Sequence, residues 1–396
     1  MTAQPSGSTL IHEAAVLERY AKAARSVEPS LCCSVQYPAS LLEVIPEEVL
    51  VKDYGCGDPT RFVRPGERVL DLGSGAGKAC FIAAQIVGPR GQVIGVDCNP
   101  EMLAVARRNA PRVAERLGYD NVSFRYGLIQ DLGLDLELLQ ETLRQEPVQD
   151  IAGYLQLRQL EERLRRQQPM IADNSIDCVV SNCVLNLVRP QDRKQLFQEI
   201  FRVLRPGGRA AISDIVSSQD VPPDIQNDPQ LWAGCIAGAF REDRFMEAFE
   251  EAGFHGIQLV DRQQLPWRVV AGIEFRSMTV LAYKPMAGTQ GPRTERIIYK
   301  GPFRQVIDDQ GHTFLRGKPT SVDRLTYERL TTEPYQGMFE PAGCEASTPT
   351  SAATCSGPAP HASSSPEPSA QVNAPQTVPL QLSQLTNHHR GSCCCE

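Results

Sequence analysis

The 396-residue sequence lacks several features that mark common protein classes. It has no excess of positive charge, because 40 Lys and Arg residues stand against 47 Asp and Glu residues, giving a formal net charge of -7. Nucleic-acid-binding domains cluster basic side chains, so we expect a small-molecule substrate and no nucleic-acid partner. Histidine is also scarce, with 6 residues, which agrees with chemistry that does not depend on imidazole.

Long hydrophobic runs are absent as well. No apolar stretch approaches the roughly 18 residues that a membrane-spanning helix needs. The first residues, "MTAQPSGSTLIHEAAVLERY", do not combine a basic region with a following apolar one, as a secretory signal would. These features predict a cytoplasmic protein without a membrane partner.

Cysteine, in contrast, is abundant, with 13 residues. Their spacing does not match a secreted disulfide framework, and a chain of this size does not need such bonds to fold. Eight cysteines lie between Cys32 and Cys235, and the other five are Cys344, Cys355, Cys393, Cys394 and Cys395. This division suggests two separate roles.

The chain from Arg68 onward alternates short apolar runs with helical stretches. The runs are "RVLDL", "GQVIGVD", "VSFRYG", "IDCVVSN" and "GRAAISDIV". Continuous apolar strands that alternate with helices are typical of a parallel sheet covered on both faces. The sequence therefore predicts an α/β fold with a doubly wound, mostly parallel, Rossmann-like sheet.

Composition divides the chain into regions. We expect an N-terminal cap over residues 1–60, the α/β domain over 61–285 with a charged helical insertion at 134–170, and a small β-rich region over 286–340. Residues 341–396 are rich in Ser and Pro, which predicts a disordered tail that ends in a Cys cluster. The tail thiols are either a tethered metal-binding group or dispensable.

One glycine-rich stretch, "VLDLGSGAGKACF", connects a predicted strand to a predicted helix. Gly73, Gly75 and Gly77 let the backbone approach a ligand closely. Lys78 stands where a dinucleotide fingerprint requires its third glycine, and no Walker Lys-Ser/Thr pair is present. Preceded by Asp71, the pattern resembles motif I of class I S-adenosylmethionine-dependent methyltransferases, which implies S-adenosylmethionine as cofactor. The alternative is an ordinary strand-to-helix turn.

Other candidate cofactor residues follow the neighbouring strands. Asp97 ends the second strand, where an acid accepts hydrogen bonds from ribose hydroxyls. The stretch "RYGLIQDL" follows the third strand, where the resemblance implies contacts with adenine. The further candidates are Ser74, Cys98, Leu128, Ile129 and Gln130.

A buried thiol usually packs as a small apolar group, and we expect this of Cys80, Cys98 and Cys178. Three other thiols have contexts that packing does not explain: Cys56 is flanked by glycines in "YGCG", Cys183 follows the fourth strand in "SNCVLNLV", and Cys235 lies in "LWAGCIAGAF". The carboxyl edge of an open α/β sheet is where ligands bind. These contexts favour a functional role.

Together, these three motifs resemble the arsenite S-adenosylmethionine methyltransferases over roughly residues 31–283. The resemblance implies that Cys56, Cys183 and Cys235 hold trivalent arsenic, and that Cys32 or Cys33 takes part in a disulfide relay reset by thioredoxin or glutathione. Tyr54 and Asn182, each near one of these thiols, would then flank the cofactor.

The chemistry of arsenic agrees with this implication. Trivalent arsenic is soft and prefers sulfur ligands, and three thiolates leave its lone pair free to attack a sulfonium methyl. Two other functions stay open: a methyltransferase acting on a quinone or lipid carbon, with structural cysteines, and a metalloid-binding sensor without turnover. Two regions depart from the family: the helical insertion lengthens the region before the fourth strand, and the segment after Lys284 matches no motif. If that segment covers the cleft, we expect the substrate to be an already methylated arsenical or another soft element, which would use the same thiols.

Overall fold

The computed structural model describes residues 9–28, 35, 37–52, 54–288, 291–292 and 294–342. Within them a central sheet of nine strands carries the order β3-β2-β1-β4-β5-β9-β7, with β6 beside β5 and β8 beside β9. Its strands are β1 (Arg68–Leu72), β2 (Gln92–Asp97), β3 (Val122–Tyr126), β4 (Ile176–Asn182), β5 (Leu204–Ser217), β6 (Phe240–Arg241), β7 (His255–Arg262), β8 (Arg268–Val270) and β9 (Ile273–Tyr283).

The first five strands run parallel, and β9 lies antiparallel to both of its neighbours, β5 and β7, so that β7 again runs in the direction of the first five. The helices that accompany this sheet are α1 (Thr9–Arg25), α2 (Ala39–Leu42), α3 (Glu47–Leu50), α4 (Lys78–Val87), α5 (Pro100–Leu117), α6 (Leu136–Gln145), α7 (Ile151–Gln167), α8 (Arg193–Val203), α9 (Pro223–Gln226), α10 (Pro229–Ala233) and α11 (Glu242–Glu251).

Alternating residues of the parallel strands enter two separate cores. Val69 of β1 packs with Phe81 of α4 and Leu103 of α5, whereas its neighbour Leu70 packs with Phe197 of α8. Successive side chains of a strand point to opposite faces, so each face of the sheet is covered by its own helices. The predicted doubly wound, mostly parallel fold is confirmed.

Local sequence sets the ends of the core helices. At the start of α5, the Asn99 side chain accepts hydrogen bonds from the backbone N–H groups of Glu101 and Met102, and Pro100 occupies the first helical turn. Gly118 ends the same helix in the left-handed conformation that glycine adopts without steric cost. These caps hold β2 and α5 in a fixed relation beside the ligand-binding edge.

The predicted helical insertion forms a pair of helices, α6 and α7. Each begins at an aspartate, Asp135 and Asp150, whose carboxylate accepts backbone N–H groups of the first turn. The Arg165 guanidinium of α7 forms an ion pair with Asp131 at 2.9 Å, which ties the insertion to the loop after β3. The insertion therefore borders one wall of the ligand-binding edge.

The segment after Lys284 forms a small module with its own core. The module consists of β10 (Glu295–Tyr299), β11 (Gln305–Ile307), β12 (Thr313–Leu315), β13 (Pro319–Val322), α12 (Arg324–Thr331) and β14 (Phe339–Pro341). Tyr299, Phe314 and Phe339 are buried at its centre. The predicted small β-rich region is confirmed, its strands pair in the antiparallel sense, and α12 was not predicted from the sequence.

This C-terminal module packs at the amino-terminal edge of the parallel strands. His255 at the start of β7 stacks on Tyr335 with ring centroids 5.9 Å apart. Gly256 lies so close to Pro334 that an added Cβ would come within 2.4 Å of the proline ring, and Arg64 forms an ion pair with Glu333. These contacts lie at the sheet edge opposite the ligand-binding one. The predicted region boundaries at residues 60, 285 and 340 stay predictions.

Among the described helices, none combines the length and apolar character that crossing a membrane requires.

Candidate active site

The candidate site lies at the carboxyl edge of the parallel strands, where the strand order changes direction. From β1 the chain builds outward through β2 to β3, and β4 then pairs with the opposite side of β1. Open α/β sheets bind ligands at such a point, because the loops that leave the two strands diverge. Gly73 follows β1 and Cys183 follows β4, so the glycine-rich loop and this thiol become neighbours.

A cavity of about 440 Å³ opens between these loops. It is lined by nearly all of the residues that the sequence analysis nominated for the cofactor: Tyr54, Asp71, Gly73, Ser74, Gly75, Asp97, Cys98, Leu128, Ile129, Gln130 and Asn182. Gly77 instead begins α4 with φ of 92°, and its Cα packs against the Phe124 ring. Gly77 therefore shapes the turn behind the cavity wall.

The glycine-rich loop has the properties of a ligand cradle. Gly73 and Gly75 have positive φ values of 71° and 51°, and a Cβ at Gly75 would meet no atom within 4 Å. The Ser74 hydroxyl is buried without a hydrogen-bond partner among the residues that the structure describes. Ser74 lines the cavity, and a buried polar atom needs a partner, which a bound ligand can supply.

Asp97 lies at the end of β2 on the same cavity. Its carboxylate accepts the Gly75 N–H at 2.8 Å and the Asn99 N–H at 2.7 Å. Burial raises the pKa of this carboxyl above its ordinary value. An acid at this strand end, apolar neighbours such as Ile129, and the unsatisfied Ser74 hydroxyl together fit S-adenosylmethionine, which carries a ribose, an adenine ring and a charged methionine portion.

Helix α1 forms a wall of the cavity that the sequence analysis did not identify. Its residues Glu13, Val16, Leu17 and Tyr20 line the cavity, and the Glu13 carboxylate contacts the Arg189 guanidinium at 3.1 Å. Their spacing places them on one face of a helix, so the signal was present in the sequence. Leu136, at the start of the inserted helix α6, adds a further apolar contact.

Three thiols from distant segments meet beside this cavity. Cys56 follows α3, Cys183 follows β4, and Cys235 follows α10, and all three are buried in one cluster with Trp232. The Cys235 thiol donates to the Cys183 carbonyl oxygen at 3.3 Å, and the Cys183 thiol interacts electrostatically with the thiols of Cys235 and Cys56. Cys183 also lines the cofactor cavity. The cluster and the cavity therefore share one residue.

Two of these cysteines have an unusual backbone. Cys183 has φ of 65° and Cys235 has φ of 60°, whereas across the described part of the chain only two other non-glycine residues, Asn174 and Ala271, have positive φ. The left-handed conformation costs on the order of 1 kcal/mol or more for a residue with a Cβ, and such residues concentrate at functional sites. Packing of a small apolar thiol does not require this strain.

Hydrogen bonds hold the Cys56 loop in place. The Asn182 side chain accepts the backbone N–H groups of Cys56 and Gly57 at 2.8 and 3.1 Å and donates to the Gly57 carbonyl at 2.7 Å. The Ser277 hydroxyl donates to the Cys56 carbonyl at 2.6 Å. Asn182, predicted to flank the cofactor, therefore also fixes a cluster thiol relative to β4.

Asn186 connects the loops of the other two thiols, and the sequence analysis missed it. Its buried amide group donates to Asp214 Oδ1 at 2.8 Å, to the Ile215 carbonyl at 2.6 Å and to the Cys235 carbonyl at 3.5 Å. A further clamp comes from Trp232, whose indole N–H donates to the Leu187 carbonyl at 3.3 Å. These bonds fix the separation between Cys183 and Cys235.

The electrostatics of the cluster favour protonated groups. Contacts with Cys235 and Cys56, together with burial, hold the pKa of the Cys183 thiol well above its ordinary value, and burial raises that of Cys56. Burial raises the pKa of the Tyr20 hydroxyl, with smaller contributions from Cys235 and Cys183. Burial also raises the pKa of Asp214 to about 7. The thiols of Cys56 and Cys183 and the hydroxyl of Tyr20 therefore favour their neutral forms.

The other nominated cysteines lie elsewhere. Cys80 and Cys178 are buried in the sheet core, where the Cys80 thiol donates to Asp71 Oδ2 at 3.2 Å. Cys98 lines the cofactor cavity beside Asp97, and burial raises the pKa of its thiol to about 12. Cys32 and Cys33 lie outside the described residues, so their predicted relay role has no structural test.

Comparisons with known proteins agree with this geometry. A family model described as a methyltransferase domain matches residues 64–150 and 159–253, and a model for a domain of unknown function matches residues 288–373. The chain is 40% identical to an arsenite methyltransferase of Halobacterium salinarum over 212 residues and 35% identical to one of Aquipseudomonas alcaligenes over 243 residues. These matches cover 53% and 60% of this chain.

The chain spans 43% and 60% of the length of those two curated relatives. A crystal structure of an arsenic(III) S-adenosylmethionine methyltransferase from Chlamydomonas reinhardtii matches with a TM-score of 0.51 and 28% identity, covering 78% of this chain and 96% of that one. Sequence, fold and the thiol motifs thus point to one family. The chain is similar in sequence and fold to the arsenite S-adenosylmethionine methyltransferases.

Proposed function

We propose that the chain is an S-adenosylmethionine-dependent enzyme that methylates trivalent arsenic bound by Cys56, Cys183 and Cys235, and that it serves arsenic detoxification. One observation carries the proposal: three buried thiols, remote in sequence, form a cluster that shares Cys183 with the cofactor cavity. Two of these residues, Cys183 and Cys235, have a strained backbone with positive φ.

The neutral state of the cluster suits arsenite as substrate. Arsenous acid is uncharged at neutral pH, and its three As–O bonds exchange with the three thiols. Three As–S bonds form, and each thiol proton leaves with a hydroxide as water. No net charge is left in the apolar pocket, so the high pKa values of Cys56 and Cys183 do not oppose binding.

When bound, S-adenosylmethionine supplies a methyl group on a positively charged sulfonium. The residues of the chain provide alignment: the loop of Gly73, Ser74 and Gly75 and the Asp97 carboxylate hold the cofactor side, and the thiol cluster holds the arsenic. Helix α1 adds Val16, Leu17 and Tyr20 to the cavity wall. The arsenic lone pair is the nucleophile, so no general base is needed, and alignment alone accounts for up to roughly 7–11 kcal/mol of the barrier.

Arsenic loses its lone pair to the new carbon bond and becomes pentavalent, so a reductant must return two electrons. We propose that Cys32 or Cys33 forms a disulfide with Cys56 and supplies these electrons, and that thioredoxin or glutathione reduces the disulfide again. Both reductants are thiols of the cytoplasm, which is the compartment that we propose for this enzyme.

Two alternatives carry less support. A methyltransferase acting on a quinone or lipid carbon needs no thiol cluster, and packing alone does not explain positive φ at Cys183 and Cys235. A metalloid sensor without turnover needs no cofactor cavity next to the thiols, yet Cys183 lines that cavity. Neither alternative explains both features.

A methylation assay tests the proposal. The full chain is incubated with S-adenosylmethionine, glutathione and thioredoxin, with and without arsenite, and arsenic species are separated and identified by mass spectrometry. We expect methylated arsenicals and cofactor consumption that depends on arsenite. Consumption that is indifferent to arsenite would favour the carbon methyltransferase, and arsenite binding without consumption would favour the sensor.

The relay is tested with Cys32→Ser and Cys33→Ser, separately and together. Loss of the relay thiol should block methylation of arsenite but spare that of monomethylated trivalent arsenic. If the double variant lost both activities while it still bound both arsenicals, the relay assignment would be wrong.

A further inference from the structure

One buried side chain at the thiol cluster has no role in the proposed reaction. Asp214 of β5 is fully buried, and its carboxylate lies with the sulfur atoms of Cys183 and Cys235 in a group whose ligand atoms are all within 4.8 Å of one another. Trivalent arsenic needs only three sulfur ligands. A carboxylate beside them repels thiolates and so requires another explanation.

We propose that Cys183, Cys235 and Asp214 form a site for a thiophilic divalent cation of the zinc class, and that this cation competes with arsenite for the same thiols. The cation site follows from the geometry of these residues, whereas the competition rests on the proposed function. A divalent cation would then act as an inhibitor of arsenic binding.

The dimensions of the group suit such a cation. Zinc binds sulfur at about 2.3 Å and carboxylate oxygen at about 2.0–2.2 Å, which places tetrahedral ligand atoms roughly 3.5–3.8 Å apart. Ligand atoms that already lie within 4.8 Å reach this geometry through shifts of side chains. Cys56, whose thiol contacts Cys183, is available as a fourth ligand.

Hydrogen bonds already orient the carboxylate. Asp214 Oδ1 accepts the Asn186 amide and the Ile215 N–H, both at 2.8 Å, and Oδ2 accepts the Asn186 N–H at 3.3 Å. Carboxylates that bind metals are typically held by such secondary contacts, which fix the direction of the remaining lone pairs. Asn186 thus orients the acid and also joins the two cysteine loops.

Charge balance distinguishes the binding of trivalent arsenic from the binding of a divalent cation. Three thiolates neutralise trivalent arsenic and leave no use for a carboxylate. Two thiolates and one carboxylate give a divalent cation an excess of one negative charge, which the half-buried Arg193 guanidinium can balance, since it interacts electrostatically with Asp214. Asp214 and Arg193 together therefore complement a divalent cation better than they complement arsenic.

The test uses the full chain with Cys344, Cys355, Cys393, Cys394 and Cys395 replaced by serine, so that the C-terminal thiols add no site. Cadmium alone is titrated, and the ultraviolet absorption of the cadmium–thiolate bond is followed, then arsenite is added. We expect one cadmium ion to bind through the cluster and arsenite to displace it. In Asp214→Asn, cadmium affinity should fall at least tenfold while arsenite affinity changes less than threefold.

Cys56→Ser is the crossed variant. It removes a sulfur that arsenic requires but leaves Cys183, Cys235 and Asp214, so arsenite affinity should fall at least tenfold more than cadmium affinity. Cys178→Ser, a buried thiol outside the cluster, should change neither affinity. If Asp214→Asn did not fold, the crossed variant would decide alone.

Unchanged cadmium affinity in Asp214→Asn, or equal losses of both affinities in Cys56→Ser, would overturn the inference. Arsenite binding and methylation that persist in that case would leave the proposed function intact. Cadmium binding that depends on Asp214, in a chain that neither binds nor methylates arsenite, would instead support the cation site and overturn the proposed function.

Discussion

The two edges of the central sheet both bury polar side chains, but the side chains of each edge are held in different ways. At the carboxyl edge, Cys183 and Cys235 adopt strained backbone conformations, contact each other and border a cavity. At the amino edge, the buried Arg209 guanidinium is fully paired, with Glu67 at 2.7 and 2.8 Å and with the Phe62 carbonyl. The C-terminal module covers this second edge.

Burial alone therefore does not identify a functional side chain. Cys178 in β4 is more deeply buried than Cys183, which lies five positions further along the same segment, yet Cys178 has ordinary strand geometry within the core. What distinguishes Cys183 is a positive φ, a thiol neighbour and a cavity wall. Backbone strain at neighbouring thiols distinguishes the carboxyl edge from the core.

The largest effect on the rate of arsenite methylation is expected from replacing a single cysteine of this segment with serine. Cys183→Ser replaces a soft ligand with a hydroxyl that binds arsenic poorly, so methylation of arsenite should fall by at least about 10³-fold, which corresponds to about 4 kcal/mol. Cys178→Ser should stay within about threefold of the parent rate. Similar losses in both variants, measured by arsenic speciation under identical conditions, would erase the distinction between edge and core thiols.

Sequence patterns predicted the parts of the site whose signals are local. Apolar runs bounded by glycine or a polar residue predicted β1 to β5, and the residues that follow those strands, including Gly73, Asp97 and Cys183, line the site because parallel strands all end at one edge. The helix α12 was missed although Asp323 caps its first turn, because "RLTYERLT" is short and rich in residues that also suit strands.

Residues whose role depends on distant partners could not be predicted in the same way. Asp214 and Asn186 meet across 28 positions, and Tyr20 contacts Cys235 from a different part of the chain. The sequence did indicate that Asp214 is unusual, because it is an acidic residue inside the apolar run "AAISDIV" and a buried carboxylate needs a partner. Only the tertiary structure shows which partner that is.

The next effect concerns stability at the amino edge. Arg209→Met removes the partner of a buried carboxylate, Glu67, and should lower the free energy of unfolding by about 3–5 kcal/mol. Adding Glu67→Gln should restore part of the loss. For the folded fraction, arsenite affinity and methylation rate should match the parent, as measured by denaturant unfolding and by activity per folded molecule. A loss of arsenite affinity in folded Arg209→Met would mean that the two edges are coupled.

A smaller effect, on arsenite affinity, is expected from removing the Asn186 hydrogen bonds that connect the loops of Cys183 and Cys235. Asn186→Ala removes the bonds to Asp214 and to the Cys235 carbonyl, so the thiols lose their fixed separation and arsenite affinity should fall about 10- to 100-fold. Cofactor affinity should stay within about threefold, because Asn186 is absent from the described cavity lining. Asn109→Ala, at a buried asparagine of α5, is the matched control. Equal weakening of arsenite and cofactor binding would indicate general damage instead of a positioning role.

The smallest effect is expected where the C-terminal module meets the amino edge. Burial and the positive charge of Arg329 lower the pKa of His255 to about 4 from its ordinary value of 6.5. A lowered pKa means that the neutral imidazole stabilises the folded state fully above pH 6.5, and that this contribution is lost as the pH falls toward 4. The full interval corresponds to about 3 kcal/mol, and partial exposure reduces this to about 1–2 kcal/mol. The hydrogen-exchange protection of β7 and α12, after correction for the intrinsic exchange rate at each pH, should therefore fall between pH 6.5 and 4 more in the parent than in His255→Phe, which keeps the stacking on Tyr335 but does not titrate. Arsenite affinity should follow pH identically in both proteins, because the thiols lie at the opposite edge; a difference between them would show that the module communicates with the arsenic site.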